Sequence, residues 1–407
     1  MTTTRSTHLQ KKGRAWFLAA ALPALALGGF AAGAQAQDAI RMGVLPSATG
    51  PGAAIGAALT AGVDLAVSEI NAAGGIQGRK IEQIKGDTQS NPTTAAGEAR
   101  RLIDREKIQI LIGPLVSQEA VPAVEVATAA KVVQITNAGT AVLTPAVGPY
   151  HFSFNTSTAT AAKVIVDFAA DQLKVKTIGI LADDGGQSKS GVAEIKKELA
   201  ARGLTVAGEQ EYRFRADDMS PQILSLRRAN PDVVVFLTST VEDGTKMLRT
   251  LADVGWQPKV LGASAMSVYA SAIARSTGAK AFANVYSIAY RGMTYCASDA
   301  EGASTYAQFA RKLERHSPGS AGKISVSLAS EYYDAVNLLA AGIAATGGTD
   351  GTKLARWMET EGSKVKLIHG AISPSAESHF LFGPAELAMV ERPNDTRADG
   401  LMKRFGC

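Results

Sequence analysis

Residues 107–144 read KIQILIGPLVSQEAVPAVEVATAAKVVQITNAGTAVLT, and this stretch decides the fold. An apolar run at 110–112 is followed by a short loop, and Ser117 then opens a helix rich in Ala and Val. A second apolar run at 132–135 ends in the small polar turn 136–140. This order predicts strand, loop, helix, strand and loop, with both loops at the carboxyl edge of a parallel sheet. Open α/β sheets bind small molecules at that edge, so we expect a ligand site here.

The same alternation of apolar runs and helical patterns extends in both directions along the chain. It occurs in two series, which predicts two α/β domains with parallel sheets. A mature chain of about 370 residues also exceeds what one hydrophobic core usually holds. The expected strands lie at 40–45, 81–85, 110–112, 132–135, 177–181, 205–214, 232–237, 259–262 and, as one extended segment, 380–391.

Residues 1–36 have the pattern of a cleavable signal peptide. A basic start with Lys12 and Arg14 precedes an apolar stretch at 16–30, and Ala-Gln-Ala at 34–36 fits a signal-peptidase site. No later segment is long and apolar enough to span a bilayer. We therefore expect a secreted chain in the periplasm, with no membrane insertion after signal cleavage.

The charge of the chain is concentrated in this leader. Four of the 42 Lys and Arg side chains lie in it, which leaves 38 basic against 37 acidic side chains. Because the mature chain is nearly neutral, nucleic acid is not an expected partner. The two cysteines, Cys296 and Cys407, are candidates for a disulfide in an oxidising compartment, although sequence does not supply the geometry.

The sequence shows no pattern typical of an enzyme or a cofactor site. The glycine-rich turn at 50–56 follows a strand and Asp87 ends the next one, but Pro51 and the glycine spacing do not fit a dinucleotide site. No G-x-S-x-G nucleophile motif occurs, and we expect no enzyme activity and no cofactor.

Metal-ligand spacing is also missing from the sequence, so no metal is expected. The pair Asp183 and Asp184 precedes two glycines, as in a turn. The mature histidines are scattered and are expected at surface or linker positions. They are His151, His316, His369 and His379.

Several blocks of the chain closely resemble the leucine/isoleucine/valine-type periplasmic binding proteins, over essentially the whole mature length. The most specific block is Asn71-Ala72-Ala73-Gly74-Gly75-Ile76-Gln77-Gly78-Arg79. The other matching segments are Gly43–Pro46, Thr49–Pro51, Asp87–Gln89 and Ile112–Pro114 with Ser117.

This resemblance implies an α/β fold of two doubly wound parallel-sheet lobes joined by three hinge crossovers, the type I periplasmic binding protein fold. It places the N-terminal lobe at 37–155 plus 289–372 and the C-terminal lobe at 156–288 plus 373–407. A monomer would close its lobes over a small-molecule ligand and deliver it to an inner-membrane ABC permease. Because the same lobes also serve receptors, a ligand sensor for a membrane receptor is the alternative.

The resemblance also assigns candidate ligand contacts. Ser117 matches a serine that binds the ligand carboxylate, and Ala138 and Thr140 match contacts of the next loop. Taken alone, Ser117 is equally explained as a helix N-cap. The full set of expected ligand-binding residues is Ile55, Ser117, Ala138, Thr140, Gln187, Ser188, Thr240, Ser264 and Leu328.

The second lobe departs from the amino-acid binders of this family. Ser264 stands where they place the acid that pairs with the ligand ammonium. Because a buried ammonium without a carboxylate is costly, we expect an aromatic or short organic acid as ligand. Branched-chain amino acids and amides stay open as alternatives, since Asp183, Asp184 or Glu242 could supply the charge.

Overall fold

The computed structural model describes residues 38–302, 304–320 and 322–407, and the predicted signal peptide lies outside them. The chain begins with β1 (Ile40–Val44), α1 (Ala53–Ala72), β2 (Ile81–Lys85), α2 (Pro92–Asp104), β3 (Ile110–Ile112), α3 (Ser117–Ala129), β4 (Val133–Thr136) and β5 (His151–Thr156). It continues with α4 (Thr158–Asp171), β6 (Thr177–Asp183), α5 (Gly186–Arg202), β7 (Thr205–Tyr212), α6 (Ser220–Ala229), β8 (Val233–Leu237), α7 (Val241–Asp253), β9 (Lys259–Gly262), α8 (Ala265–Val268), α9 (Ala270–Thr277) and β10 (Val285–Tyr290). The last elements are β11 (Thr294–Tyr295), α10 (Thr305–His316), α11 (Val326–Thr346), α12 (Gly351–Glu361), β12 (Phe380–Phe382), β13 (Leu387–Glu391) and β14 (Met402–Lys403).

Two six-stranded sheets form the frame of the two lobes. The first has the order β12-β5-β4-β3-β1-β2, with every pair parallel. The second has the order β13-β10-β9-β8-β6-β7, and only β13 runs antiparallel to its neighbour. We call the first sheet with its helices the first lobe, and the second sheet with its helices the second lobe. The doubly wound two-lobe fold expected from the sequence is confirmed.

The chain passes between the lobes three times, and two of these passages differ from the expected boundaries. β10 runs on to Tyr290, so the second crossing follows that residue rather than 288. β12 pairs with β5, which places the third crossing at Gly383–Glu386 rather than after 372. The single extended segment expected at 380–391 is therefore wrong. Gly383 and Pro384 break it, because proline cannot donate a ladder hydrogen bond.

The crossings are bound to each other by hydrogen bonds and ring packing. Arg291 donates from Nε to the Ala385 carbonyl at 3.0 Å and from its NH2 group to the Leu387 carbonyl at 3.1 Å. The rings of Tyr290 and Phe382 pack with centroids 4.4 Å apart. These contacts join separate crossings into one packed region, which we call the hinge region.

Helix α11 is held against α1 by a close approach of two backbones. A Cβ placed on Gly62 of α1 would lie 2.0 Å from the Ala329 carbonyl oxygen of α11. Within the described residues, α1 alone is long and apolar enough to cross a membrane by length and composition, a test that core helices also pass. The expectation that no segment after the signal peptide meets these criteria is therefore wrong. In α1, Val63 and Leu59 are fully buried in the first-lobe core. The packing fixes the position of α11, which reaches the cleft described below.

A disulfide fastens the C-terminal tail. Cys296 and Cys407 are bonded, with their Cα atoms 5.1 Å apart and 111 positions apart in sequence. β11 pairs with β14 beside this bond, and the guanidinium of Arg397 lies 4.3 Å from the centroid of the Tyr295 ring. The tail thus joins the second lobe to the segment that leads into α10.

Two buried carboxyl groups lie near the carboxyl edge of the second sheet. Asp183 Oδ1 accepts from the Gly185 N–H at 2.8 Å, while its Oδ2 has no partner. Burial raises the pKa of Asp183 to about 6, and the charge of Asp243 adds to this shift. Burial likewise raises the pKa of Asp243 to about 6. Since the ordinary pKa is 3.8, folding favours the protonated form of each carboxyl.

We expect loss of the disulfide to destabilise the chain without changing its fold. Replacing both Cys296 and Cys407 by Ser frees a long loop in the unfolded state and should cost about 2–4 kcal/mol. Thermal unfolding would measure this. A reductant should lower the Tm of the wild type to that of the double variant and leave the variant unchanged. A reductant without effect on the wild type would contradict the expectation.

We expect Asp183 to make stability fall as the pH rises. Its folded pKa is raised, so its contribution is complete below pH 3.8 and is lost as the pH passes about 6. Asp183→Asn keeps the acceptor for Gly185 and removes the charge. The variant should therefore gain about 2–3 kcal/mol over the wild type between pH 4 and pH 8. The exposed Asp217→Asn is the control, and an equal gain at both pH values for Asp183→Asn would count against this account.

Candidate functional site

Two neighbouring cavities lie between the lobes. Their volumes are about 30 and 40 Å³. Five residues line both cavities: Asn155, Gln187, Thr238, Ala263 and Ser264. Each of them lies at the end of a strand, directly after a strand, or in the first turn of the helix that follows. Both sheets thus turn the carboxyl ends of their strands to one place, where open α/β sheets bind ligands. We call the two cavities together the central cleft.

The Ser117 side chain contacts the opposite lobe directly. Its hydroxyl donates to Gln187 Oε1 at 2.9 Å, and only 3% of Ser117 is exposed. The N-cap of α3 is Val116, so the alternative explanation of Ser117 as a helix cap is wrong. Gly139 makes room for the Gln187 amide, because a Cβ there would lie 2.5 Å from Nε2. The hydroxyl is therefore free of the helix and directed across the cleft.

Two helices begin at the central cleft without a side-chain cap. The N-cap of α3 is Val116 and that of α5 is Gly185, and neither supplies a side-chain acceptor. The N–H groups of a first helical turn have no acceptor within the helix, and the helix dipole adds positive potential there. Such helix ends favour an anion, for example the carboxylate of an organic ligand.

The structure brings together most of the expected residues of the central cleft. Gln187, Ser188, Ser264 and Leu328 line it, and Ser117 is bonded to the first of these. Whether these residues contact a ligand stays a prediction.

The next expected loop is buried but does not line the central cleft. The Ala138 N–H donates to Thr136 Oγ1 at 3.1 Å, and its carbonyl accepts from Ser153 Oγ at 2.7 Å. Thr140 is buried beside it in the same loop. Both backbone groups of Ala138 therefore already have partners within the first lobe.

Ile55 and Thr240 line a different cavity. Its volume is about 210 Å³, and it lies at the edge of the cleft between the start of α1 and the helices α7 and α9. Thr240 caps α7, where its Oγ1 accepts from the Asp243 N–H at 3.2 Å. Glu242 also faces this outer cavity, and Asp183 and Asp184 do not line the central cleft.

The acid of the central cleft is Glu331, which sequence reasoning missed. It lies on α11, is 1% exposed, and lines the 40 Å³ cavity of the central cleft. Asn137 Nδ2 donates to its Oε2, whereas Oε1 has no hydrogen-bond partner. Burial raises the pKa of Glu331 well above its ordinary value, and the charge of Asp334 raises it further. Glu331 is three positions after Leu328, so the two side chains lie on one face of α11. Since Leu328 was an expected ligand contact, this spacing could have identified Glu331.

Two tyrosines line the same cavity as Glu331. They are Tyr269 and Tyr290, and the Tyr290 hydroxyl donates to the Phe154 carbonyl at 3.2 Å. Burial raises the pKa of both hydroxyls, and the charge of Glu331 contributes to each shift. No Lys, Arg or His is among the described residues that line the central cleft.

A second buried carboxylate, Glu119, lies in the first turns of α3. Its Oε2 accepts from Ser47 Oγ at 2.8 Å and from Thr88 Oγ1 at 2.6 Å. The side chain is thus turned into the first lobe and held by two hydroxyls. It does not line the central cleft.

Ser330, His369 and Asp334 have the residue types of a hydrolase triad, but they lie in the buried core beside the hinge region. The His369 ring lies 3.3 Å from Ser330 Oγ and 2.8 Å from Asp334 Oδ2. All three are buried, none lines the central cleft, and the Ser330 hydroxyl donates to the Ser327 carbonyl. A nucleophile needs access to a substrate carbonyl, so this set acts as a structural network.

The other histidines also differ from the sequence expectation. His151, His369 and His379 are buried, so their expected surface or linker positions are wrong. Burial and the nearby His379 charge lower the pKa of His151 to about 3, and the ring is neutral. Across residues 38–302, 304–320 and 322–407, no group of three His, Cys, Asp or Glu residues could hold a metal.

Comparisons with known proteins agree on the fold. The fold is shared by LivJ of Streptococcus pneumoniae, solved in complex with isoleucine, with a TM-score of 0.74 and 20% identity over 89% of this chain and 97% of that one. It is also shared by a solute binding protein of an ABC transporter from Rhodopseudomonas palustris, solved in complex with 3,4-dihydroxybenzoic acid. The TM-score is again 0.74, with 22% identity over 89% of this chain and 95% of that one.

Sequence comparison identifies the family. Leu/Ile/Val-binding protein homolog 7 of Brucella abortus is 32% identical over 258 residues, which are 59% of this chain. The chain spans about 62% of the length of that relative. The family model described as periplasmic binding protein matches residues 39–397, nearly all of the described chain. The chain therefore belongs to the periplasmic binding protein family, of the type that includes the Leu/Ile/Val-binding proteins.

Proposed function

We propose that this chain is the solute-binding component of an ABC importer in the periplasm. It would be exported by the signal peptide at 1–36 and would deliver its ligand to an inner-membrane permease as a monomer. The hydrogen bond from Ser117 to Gln187 carries the proposal, since it joins the lobes at the edge of the central cleft. A ligand held there would contact both lobes and so favour their closure about the hinge.

We infer that the ligand is small and bears a carboxylate. Two uncapped helix starts face the central cleft. The ligands of three proteins with this fold are isoleucine, 3,4-dihydroxybenzoic acid and 4-hydroxybenzoate, and all three carry a carboxylate. That shared group fits the helix starts and the Ser117 hydroxyl. The resemblance adds Ala138 and Thr140 as contacts that a ligand-bound state would use.

A thermal-shift screen of the mature protein tests the function. Amino acids, aromatic acids and short aliphatic acids would be compared side by side. A ligand at 100 times its Kd should add about 2.7 kcal/mol to the free energy of unfolding, which raises the Tm. If no carboxylate-bearing solute raises the Tm, the proposed ligand class is wrong.

We expect Ser117→Ala to weaken binding of any carboxylate found in that screen. A hydrogen bond to a charged group contributes about 1.5–3 kcal/mol, so the Kd should rise about 10- to 100-fold. Isothermal titration calorimetry would measure the change. The exposed Ser298→Ala is the matched control and should leave the Kd unchanged. An unchanged Kd for Ser117→Ala would remove Ser117 from the site.

A further inference from the structure

The tail that follows β13, residues 392–407, ends against the second lobe. The Phe405 N–H donates to the Met389 carbonyl of β13 at 2.8 Å. The Phe405 ring packs against the rings of Phe168 on α4 and Tyr286 on β10, whose centroids lie 5.0 and 6.0 Å from its own. Aromatic packing of this kind adds to the free energy gained by burial. The end of the tail is therefore fixed to the second sheet and its helix α4.

The middle of the tail binds the segment 294–302, which leads from the second crossing towards α10. Arg397 donates to the Asp299 carbonyl at 2.8 Å, and Asp399 accepts from the Gly302 N–H at 2.9 Å. The side chains of Arg397 and Asp399 pair at 2.6 Å, and both are largely buried. The bond from Arg397 lowers the pKa of Asp399 to about 2, so the pair is charged at neutral pH.

Two further links join the tail to this segment. β14 of the tail pairs with β11, and the Arg404 side chain donates to Thr294 Oγ1 at 3.0 Å. The disulfide between Cys296 and Cys407 closes the same contact covalently. Because backbone, side-chain and covalent bonds act together, the tail and the segment 294–302 move as one unit.

The helix that follows this segment, α10, belongs to the first lobe. Phe309 of α10 is buried and packs against the Tyr333 ring of α11, with centroids 5.1 Å apart. The tail reaches α10 as well, since a Cβ placed on Gly400 would lie 2.8 Å from Cε1 of Tyr306. The tail is thus bonded to the second lobe at its end and to the start of a first-lobe helix at its middle.

These contacts are formed while the lobes touch each other. The Ser117 hydroxyl is bonded to Gln187 across the cleft. The Ser325 hydroxyl, at the start of α11, donates to the Val268 carbonyl of α8 in the second lobe at 2.8 Å. An opening rotation would carry α10 away with the first lobe, while the end of the tail stays with the second.

We propose that residues 392–407 form a strap across the hinge region that limits how far the lobes open. The three crossings alone leave the lobes free to rotate about the hinge region. The strap is a fourth connection, and wide opening pulls on its bonds to the segment 294–302. It therefore favours the arrangement in which those bonds are intact. The strap acts on the free chain, so it goes beyond the solute-binding function proposed above.

Single-molecule energy transfer on the ligand-free mature chain tests the strap. The two dyes are attached through azide-bearing amino acids at Val142 and Asp217, which are exposed in loops at the carboxyl edges of the two sheets. Because this attachment does not use thiols, the native disulfide is kept. Opening of the lobes moves the two dyes apart and lowers the transfer efficiency.

The triple variant Arg397→Ala/Cys296→Ser/Cys407→Ser should shift the mean distance between the dyes to a longer value than in the wild type. Arg397→Ala alone should give a smaller shift, because the disulfide remains. Dithiothreitol added to the wild type should also lengthen the distance, and this arm uses the natural sequence if the triple variant does not fold. Far-UV circular dichroism checks the fold of each variant.

Arg202→Ala is the matched control. Arg202 pairs with Asp167 and Asp171, and all three lie on helices of the second lobe. Its loss breaks an ion-pair network of similar size within one lobe and should leave the distance unchanged. The strap is wrong if neither the triple variant nor the reduced wild type exceeds the wild-type distance. It is equally wrong if Arg202→Ala lengthens the distance as much as the triple variant does.

Discussion

The polar character of the central cleft depends on the first turns of α3 and α5, which have no side-chain cap. Both lobes wind their strands in the same spatial order, β2-β1-β3-β4-β5 in the first and β7-β6-β8-β9-β10 in the second. The helix after β3 and the helix after β6 each begin at the carboxyl edge of their own sheet, and the hinge places those edges face to face. Their N–H groups have no acceptor within the helix, so the interface between the lobes is polar and favours an anion. The bond from Ser117 to Gln187 is a direct contact across it.

The balance of charge in the cleft follows from how α11 is packed. Gly62 lets α1 approach α11 at Ala329, and this contact holds the following turn with Glu331 at the cleft. The cleft consequently combines positive helix starts with one buried acid. His369 and Asp334 are bonded to each other, and this contact ties α11 to the segment that precedes β12.

The sequence was sufficient for the fold and for part of the site. The alternation around Ser117 predicted β3, α3 and β4 because each element carries its own local pattern. The helical spacing from Leu328 indicates that Glu331 shares its helix face, but the contact of Glu331 with Asn137, 194 positions away, is not visible in any local pattern. The segment after Phe380 was assigned to one lobe, although the turn at Gly383 sends its two halves to different sheets. The buried histidines were missed for the same reason, since polar side chains are buried only through tertiary partners.

Hydrogen exchange of backbone amides tests most directly whether ligand is held by the two helix starts. The amides of residues 117, 118 and 186–188 should exchange faster than the helix interiors in the free protein, because they lack backbone acceptors. A saturating ligand should slow exchange at both starts and leave the amides of β7, at the outer edge of the second sheet, unchanged. Slowing at one start only, or slowing spread evenly over the chain, would contradict binding between the lobes at this cleft.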